Sequence, residues 1–356
     1  MDHNHKIGKF DAISLGQKRD PNMSPSENEG FFGTNIWYSC TRREQTGVGK
    51  CRIHANIPDY TKSGTSPPET SSIANIVLFT DINIAKQIDP KTLEPNKITQ
   101  QLHSHPRLVG PLSCAHTQID LVNGDIYNYN LEFGASTTFH IFRTHQSTGK
   151  TEILATLSGL GIAAAYIHSF FITTKLVILC LWPSFFAAAG AKILWERNIL
   201  DSLAKFDPPA ETRWLVVDQK QSRGLVATFT SPAMFSYHTV NAWQEDSDYG
   251  KVNIVCDLVQ YPNLDNLHAP YYNNLMSTGP KASKSYEGKN DTTQPSLARY
   301  RLTGVSKAGN QSTISRGNQI PKADLLIQLP APLIGELPTI NPHYQTSKSP
   351  LCLLCR

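Results

Sequence analysis

The chain contains 356 residues, of which 40% are hydrophobic and 17% are charged, and its formal net charge is +4. This composition is typical of a globular protein with a large core, and so small a charge excess does not indicate a nucleic-acid-binding protein. The irregularly spaced cysteines, two of which (Cys180 and Cys256) fall inside apolar segments, favour reduced thiols in a cytoplasmic protein. The first 20 residues contain no apolar segment that could act as a signal peptide.

Short segments rich in β-branched and aromatic residues recur along most of the chain. They start with ANIVLFTDINIAKQI and continue through QIDLVNGDIYNYNLEF, TTFHIFRTH, TEILATL, RWLVVD, GLVATFT, VNIVCDLVQY and LARYRLTGV to ADLLIQL. Turn residues separate them, and Asn123-Gly124-Asp125 is a strong hairpin signal. Many short strands at regular spacing predict a β-sandwich, a barrel or a propeller. The chain has no repeat of fixed length that would choose among these three.

The most apolar segment, at 166–186, has the sequence YIHSFFITTKLVILCLWPSFF. A membrane-spanning helix needs about 20 consecutive apolar residues, and Thr173-Thr174-Lys175 interrupts this segment. Two short β-branched and aromatic runs around a polar break predict a hairpin of buried strands, with His168 on the first strand. A buried imidazole needs a partner for each ring nitrogen, so His168 is either hydrogen-bonded in the core or bound to a metal.

A helix is predicted after this hairpin, in PSFFAAAGAKILWERNILDSLAKF at 183–206. Its apolar residues, among them Phe186, Ile193 and Leu200, recur at helical spacing, and Asp207-Pro208-Pro209 ends the pattern. The apolar stripe either docks on the protein's own sheet or dips into a membrane surface. The second alternative makes residues 183–204 a candidate membrane contact.

Three histidines share a setting that suggests a common site. His116, His168 and His238 each lie at or just before a β segment, and they are 52 and 70 residues apart. This spacing is too wide for a local zinc motif, so the three can meet only if separate strands bring them to a common axis. Neutral imidazoles suit iron, copper, nickel or zinc. Judged by spacing alone, the three could instead be separate, hydrogen-bonded histidines of the core.

Several motifs in a fixed order resemble one known family. They are AHTQIDLVNGDIYNYN, YIHSFFITTKLVIL, YHTVNAWQE leading into VNIVCDLVQYP, and GELPTINPHY, with support from TDINIAKQIDPKTLEP and PSLARYRLTG. The chain is similar to the carotenoid cleavage oxygenases, above all to their fungal branch, which acts on carotenoids such as torulene and β-carotene. The similarity extends over residues 11–344.

The resemblance implies an all-β fold, a seven-bladed β-propeller that is incomplete here, with helices capping one face. It implies one partial propeller domain over residues 1–356, with 345–356 as a tail outside the family pattern. In the family, four histidines hold Fe(2+), and carboxylates orient three of them. Residue by residue, His116, His168 and His238 match three ligands, and Glu336 matches an orienting glutamate. Asp81 lies where another such glutamate is expected, although its side chain is one methylene shorter.

The resemblance also implies a function. It predicts an iron(II)-dependent dioxygenase that uses dioxygen to cleave a conjugated C=C bond of a carotenoid or apocarotenoid into two carbonyl products. The cytoplasmic protein would take its apolar substrate at a membrane surface, through residues 183–204. Cleavage of a stilbene is one alternative. Because no residue after His343 matches the family's fourth ligand, a catalytically inactive remnant or a non-enzymatic propeller with structural histidines are the others.

Overall fold

The computed structural model describes residues 51–55, 57, 73, 75–134, 136–159, 161–196, 198–220, 223–247, 250–268, 294–306, 320–331, 333–348 and 353–355. The first 20 residues, which are predicted to contain no signal peptide, lie outside these residues. The described part is built of β-strands and single helical turns, so the all-β prediction is confirmed.

Sixteen of the described strands form four antiparallel sheets, and each sheet takes four consecutive strands from the chain. Blade 1 contains β1 (Cys51–Ala55), β2 (Ile76–Thr80), β3 (Ile84–Ile88) and β4 (Pro95–Gln100). Blade 2 contains β5 (Gln118–Ile119), β6 (Ile126–Glu132), β7 (Thr138–Thr144) and β8 (Thr151–Ser158). Blade 3 contains β9 (Phe171–Ile172), β10 (Leu176–Leu181), β11 (Thr212–Asp218) and β12 (Leu225–Ser231). Blade 4 contains β13 (Phe235–Asp246), β14 (Lys251–Tyr261), β15 (Ser296–Ser306) and β16 (Asp324–Pro330). Each sheet is the up-and-down meander expected of a propeller blade.

A further pair of strands follows blade 4 in the chain. β17 (Glu336–Thr339) pairs with β18 (Leu353–Cys355) in an antiparallel two-stranded sheet. The tail predicted at 345–356 therefore contributes a strand to the fold. The division into one domain and a tail stays a prediction.

The predicted hairpin within 166–186 is present, but His168 does not lie on its first strand. β9 and β10 pair across Thr173-Thr174-Lys175, β11 pairs with the other edge of β10, and all six residues of β10 are buried. His168 lies in a bend that precedes β9. There the backbone pairs with blade 2 instead, through a parallel bridge between His116 and Ser169. Contact between blades therefore decides the conformation at His168.

The continuous helix predicted over 183–206 is wrong. The described residues form a 3-10 turn at Ala187–Gly190, one α-helical turn, α1, at Ile193–Glu196, and a second 3-10 turn at Leu200–Ser202. Ala188 and Ala189 have φ of 52° and 51°, a left-handed conformation that a regular helix cannot contain. Gly190 lies so close to Phe133 that a Cβ would be 2.3 Å from the aromatic ring. Packing against blade 2 thus overrides the helical periodicity, and the capping helices implied by the resemblance are single turns in this part of the chain.

Several large apolar side chains of the same segment face the protein's own core. Phe186 and Ile193 are buried in the main core, and Phe185, Leu200 and Leu203 pack against it. None of the described helices is long and apolar enough to span a bilayer. These side chains therefore dock on the protein's own core, and contact of residues 183–204 with a membrane surface stays a prediction.

The main core lies between neighbouring blades. Trp214 of β11 is fully buried, with its ring 6.3 Å from Phe171 of its own blade and 5.2 Å from Tyr300 of blade 4. Tyr129 of blade 2 similarly meets Phe170, just before β9, at 6.5 Å. Because each blade buries its faces on the next, the blades fix one another's positions, and with them the segments that lead into their first strands.

A buried polar junction joins blade 1 to blade 2 around Gly110. The Gly110 N–H donates to Asn130 Oδ1 at 2.7 Å, and its carbonyl accepts from the Asn130 and Asn83 side-chain amides at 2.7 and 2.8 Å. A Cβ at this glycine would lie 2.2 Å from the carbonyl oxygen of Leu131. Only glycine fits at this position, because the atom that a Cβ would meet belongs to the backbone and cannot move aside as the end of a flexible side chain could.

We expect Gly110→Ala to lower the free energy of unfolding by about 1–3 kcal/mol, the usual cost of overpacking a core. Gly134→Ala is the matched control, since its added Cβ would come no closer than 3.6 Å to a neighbouring atom and should change stability by less than about 0.5 kcal/mol. Denaturant unfolding of both variants measures the difference. Equal midpoints would show that the junction relaxes around the methyl group.

Candidate metal centre

The three histidines singled out from the sequence converge. The ring centroid of His116 lies 4.7 Å from that of His168 and 4.6 Å from that of His238, and the latter two are 5.4 Å apart. One nitrogen from each ring lies within 4.8 Å of the other two. His116 and His168 precede the first strands of blades 2 and 3, and His238 lies on the first strand of blade 4. The wide spacings in sequence are therefore single blade repeats.

The carboxylate of Asp81 holds the His168 ring. Both carboxylate oxygens lie 2.9 Å from His168 Nδ1. The Ala115 N–H donates to Oδ1 at 3.1 Å, and the Tyr166 hydroxyl donates to Oδ2 at 2.7 Å. Since Ala115 precedes His116, one carboxylate fixes the ring of one histidine and the backbone beside another.

Glu336 plays the corresponding part for His238. Its Oε2 lies 2.6 Å from His238 Nδ1 and also accepts from the Leu337 N–H, while Oε1 accepts from the Tyr261 hydroxyl at 2.7 Å. Burial disfavours the ionised carboxyl, but the hydrogen bonds from His238 and Tyr261 outweigh it and hold the pKa of Glu336 below its usual value. The charged form is therefore the one present at neutral pH.

The backbone around the site is tied together across blades 3 and 4. The Ser169 hydroxyl donates to the Tyr237 carbonyl at 2.6 Å and accepts from the Thr239 N–H at 2.8 Å. These bonds join the neighbours of His168 to the neighbours of His238. The carbonyl of His168 accepts in addition from the Cys114 thiol at 2.9 Å.

Sequence reasoning did not find Tyr166 and Tyr261. Tyr166 is two residues before His168, and in an extended segment residues i and i+2 face the same side, which is the signal that could have identified it. Tyr261 ends β14 with no distinguishing pattern. Six other histidines lie outside the three-histidine group of the described residues: His103, His105, His140, His145, His268 and His343.

The donor set fits a first-row transition metal. In His168 and His238 the carboxylates occupy Nδ1, so Nε2 is the nitrogen left to bind a metal. Three neutral imidazoles suit Fe(2+), Zn(2+), Cu(2+) or Ni(2+), and three protein ligands leave coordination positions for small molecules. The geometry does not by itself choose among these metals.

Comparison with known proteins identifies the family. Residues 41–355 match the family model described as retinal pigment epithelial membrane protein, RPE65. The chain belongs to the RPE65/carotenoid oxygenase family. The family resemblance deduced from the sequence motifs is thereby confirmed.

Two curated fungal relatives are similar to most of the chain. It is 35% identical over 373 residues to a carotenoid dioxygenase of Neurospora crassa, a match that covers 98% of this chain and 60% of the relative. It is 40% identical over 353 residues to a torulene dioxygenase of Fusarium fujikuroi, covering 95% and 59% respectively. The chain thus spans about three fifths of the length of these relatives.

Solved structures with the same fold come from this family. A mutant of the Synechocystis apocarotenoid oxygenase superposes with a TM-score of 0.50 at 15% identity, covering 77% of this chain and 50% of that one. A chimera of this oxygenase with RPE65 gives a TM-score of 0.52 at 14% identity, covering 89% and 60%. At such identities the likeness concerns the fold, and the predicted β-propeller is confirmed.

We expect Glu336→Gln to weaken binding of a divalent probe ion such as Co(2+) by ~10–100-fold, the range typical of a residue that orients a metal ligand. The glutamine side chain has only one oxygen that can accept, and its NH2 group would face a donor. Either His238 or Tyr261 therefore loses its hydrogen-bond acceptor. Glu245→Gln is the matched control, because Glu245 also accepts from two side chains, Arg301 and Trp243, away from the histidines. A Co(2+) titration followed by its absorption measures both. Identical dissociation constants would make Glu336 a purely structural residue.

Proposed function

We propose that this protein is an iron(II)-dependent oxygenase that cleaves a conjugated C=C bond of a carotenoid or apocarotenoid into two carbonyl products. The observation that carries the proposal is the convergence of His116, His168 and His238, with two of the imidazoles backed by carboxylates. Relatives named carotenoid dioxygenase and torulene dioxygenase support the substrate class. The same relatives favour a polyene over a stilbene.

The three histidines would hold the ferrous ion through neutral imidazole nitrogens. Bound there, the ion would supply the chemistry with dioxygen that amino-acid side chains lack. The family resemblance implies a fourth histidine, and the described residues group three. Asp81 and Glu336 keep the proton of their histidines on Nδ1, which leaves the lone pair of Nε2 directed into the site.

An apolar substrate has to be positioned without hydrogen bonds, by the shape of apolar walls. Tyr237 is an aromatic residue in contact with two of the histidines, since its ring lies 5.3 Å from that of His168 and 5.8 Å from that of His238. Phe170 and Phe171, which follow His168 closely in sequence, pack against Tyr129 and Trp214 in the core. We assign positioning of the polyene near the histidines to Tyr237, and core packing to the two phenylalanines.

Membrane contact is not part of the proposal. The described side chains of residues 183–204 are mostly turned into the core, and the large exposed hydrophobic side chains lie elsewhere. A carotenoid is almost insoluble in water, so the activity assay supplies it in detergent micelles.

The proposal is tested by measuring iron per chain and aldehyde released from β-carotene or torulene. We expect His238→Ala to remove both, by more than the ~10–100-fold typical of an orienting residue, because a ligand itself is lost. His343→Ala is the control, since this exposed imidazole lies outside the three-histidine group and should leave both quantities unchanged.

Other results would favour other functions. Iron retained by the unmodified chain without any product from carotenoids would support the inactive, metal-binding alternative. Cleavage of a stilbene in preference to a polyene would redefine the substrate. Equal iron content in the unmodified chain and in His238→Ala would refute the metal centre itself.

A further inference from the structure

Two buried tyrosines lie behind the two carboxylates that hold the histidines. The Tyr166 hydroxyl donates to Asp81 Oδ2 at 2.7 Å, and the Tyr261 hydroxyl donates to Glu336 Oε1 at 2.7 Å. Each carboxylate in turn contacts the Nδ1 of a histidine. The centre therefore contains two series of contacts from phenol to carboxylate to imidazole, and in the first of them the Tyr166 hydroxyl also lies 3.3 Å from His168 Nδ1.

In the first series, two donors hold Asp81 from opposite ends. The Ala115 N–H binds Oδ1 and the Tyr166 hydroxyl binds Oδ2, which leaves both oxygens equally distant from His168 Nδ1. The Tyr166 ring is itself immobilised, because it is buried and stacks on Phe235 at 6.2 Å. A phenol is protonated at neutral pH, so the hydroxyl is available as a donor to the carboxylate.

In the second series, Tyr261 holds the oxygen of Glu336 that does not contact the imidazole. Oε2 takes the His238 ring and the Leu337 N–H, whereas Oε1 accepts from Tyr261. Burial and then Glu336 raise the pKa of Tyr261, which again keeps the phenol neutral. Without this donor the carboxylate could turn about its own axis and carry Oε2 away from Nδ1.

Other buried tyrosines in the same core show the ordinary use of a buried hydroxyl. Tyr129 donates to the carbonyl of Ile167 at 2.6 Å, and Tyr300 donates to the side-chain oxygen of Gln260 at 3.0 Å. Both satisfy a neutral acceptor and contact neither carboxylate. A hydrogen bond to an ionised acceptor is about twice as strong as one to a neutral acceptor, so the two phenols at the carboxylates hold their partners more firmly.

We propose that Tyr166 and Tyr261 are positioning residues, which fix Asp81 and Glu336 and through them hold the rings of His168 and His238 in the metal-binding orientation. The inference rests on the proposed function only for the identity of the metal. Removing either hydroxyl leaves a buried carboxylate oxygen short of a donor, and the carboxylate then moves toward the donors that remain. The imidazole that it holds tilts or changes tautomer.

The test compares Tyr166→Phe and Tyr261→Phe with the controls Tyr127→Phe and Tyr300→Phe, each of which loses one buried hydroxyl that donates to a glutamine side chain away from the histidines. Co(2+) affinity is measured for each protein, and ring ¹⁵N chemical shifts report the histidine tautomers in the metal-free protein. We expect each of the first two variants to bind Co(2+) about 3- to 10-fold more weakly, below the ~10–100-fold expected for loss of an orienting carboxylate. Tyr166→Phe should shift the nitrogen signals of His168, and Tyr261→Phe those of His238.

The possible results separate this inference from the proposed function. Unchanged Co(2+) affinity and unchanged ring signals in both test variants would refute the positioning role. The same would follow if the control variants lost affinity by the same factor, because the effect would then be general loosening of the core. If the unmodified chain took up no Co(2+), yet each tyrosine still controlled the signals of its own histidine, the metal centre would fail while the positioning role stood.

Discussion

The contact between Asp81 and His168 is the interaction on which the arrangement of the site depends. A buried carboxylate is costly unless its oxygens are satisfied, and this one finds donors in blade 2, at Ala115, and in the segment leading into blade 3, at Tyr166 and His168. Asp81 itself follows β2 of blade 1. Three blades are thus held at one point near the axis. Moving any one of them would leave a buried charge without its partners.

On the opposite side of the site, a second carboxylate, that of Glu336, holds the ring of His238. Glu336 reaches His238 from β17, which lies outside the four blades, and the next residue, Leu337, has a φ of 53°. Such a conformation is unfavourable for a residue with a side chain, so surrounding contacts have to maintain it. Nearby, Asn241 binds the backbone of residues 344, 346 and 347, and Gln345 donates to the Ile119 carbonyl. Anchoring on blades 2 and 4 keeps this segment, and with it Glu336, beside the histidines.

The propeller explains why a site of this kind can be assembled from residues so far apart in sequence. Each blade begins near the axis, so a histidine at the start of one blade meets those at the start of the next two. The imidazoles need no local motif, because blade packing supplies their geometry. Blade packing brings the imidazoles close together, and the hydrogen bonds of the carboxylates and phenols then fix the orientation of the rings of His168 and His238.

The sequence by itself determined the class of the fold and the identity of the converging residues. Alternating β-branched segments and turn signals predicted the strands and the hairpin before β10, since these patterns report local backbone preference. The shared setting of His116, His168 and His238 made them candidates, and the resemblance of the surrounding motifs to a known family supported them and added Asp81 and Glu336. Local pattern was misleading at 183–206, where contact of Gly190 with Phe133 breaks a periodic helix. It was also misleading at His168, which pairs with blade 2 and not with its own hairpin. Tyr261 became recognisable only in three dimensions, and the spacing of Tyr166 from His168 could indicate a shared face but not a role. A buried hydroxyl takes its role from the carboxylate it contacts, and the packing of the blades brings the two together.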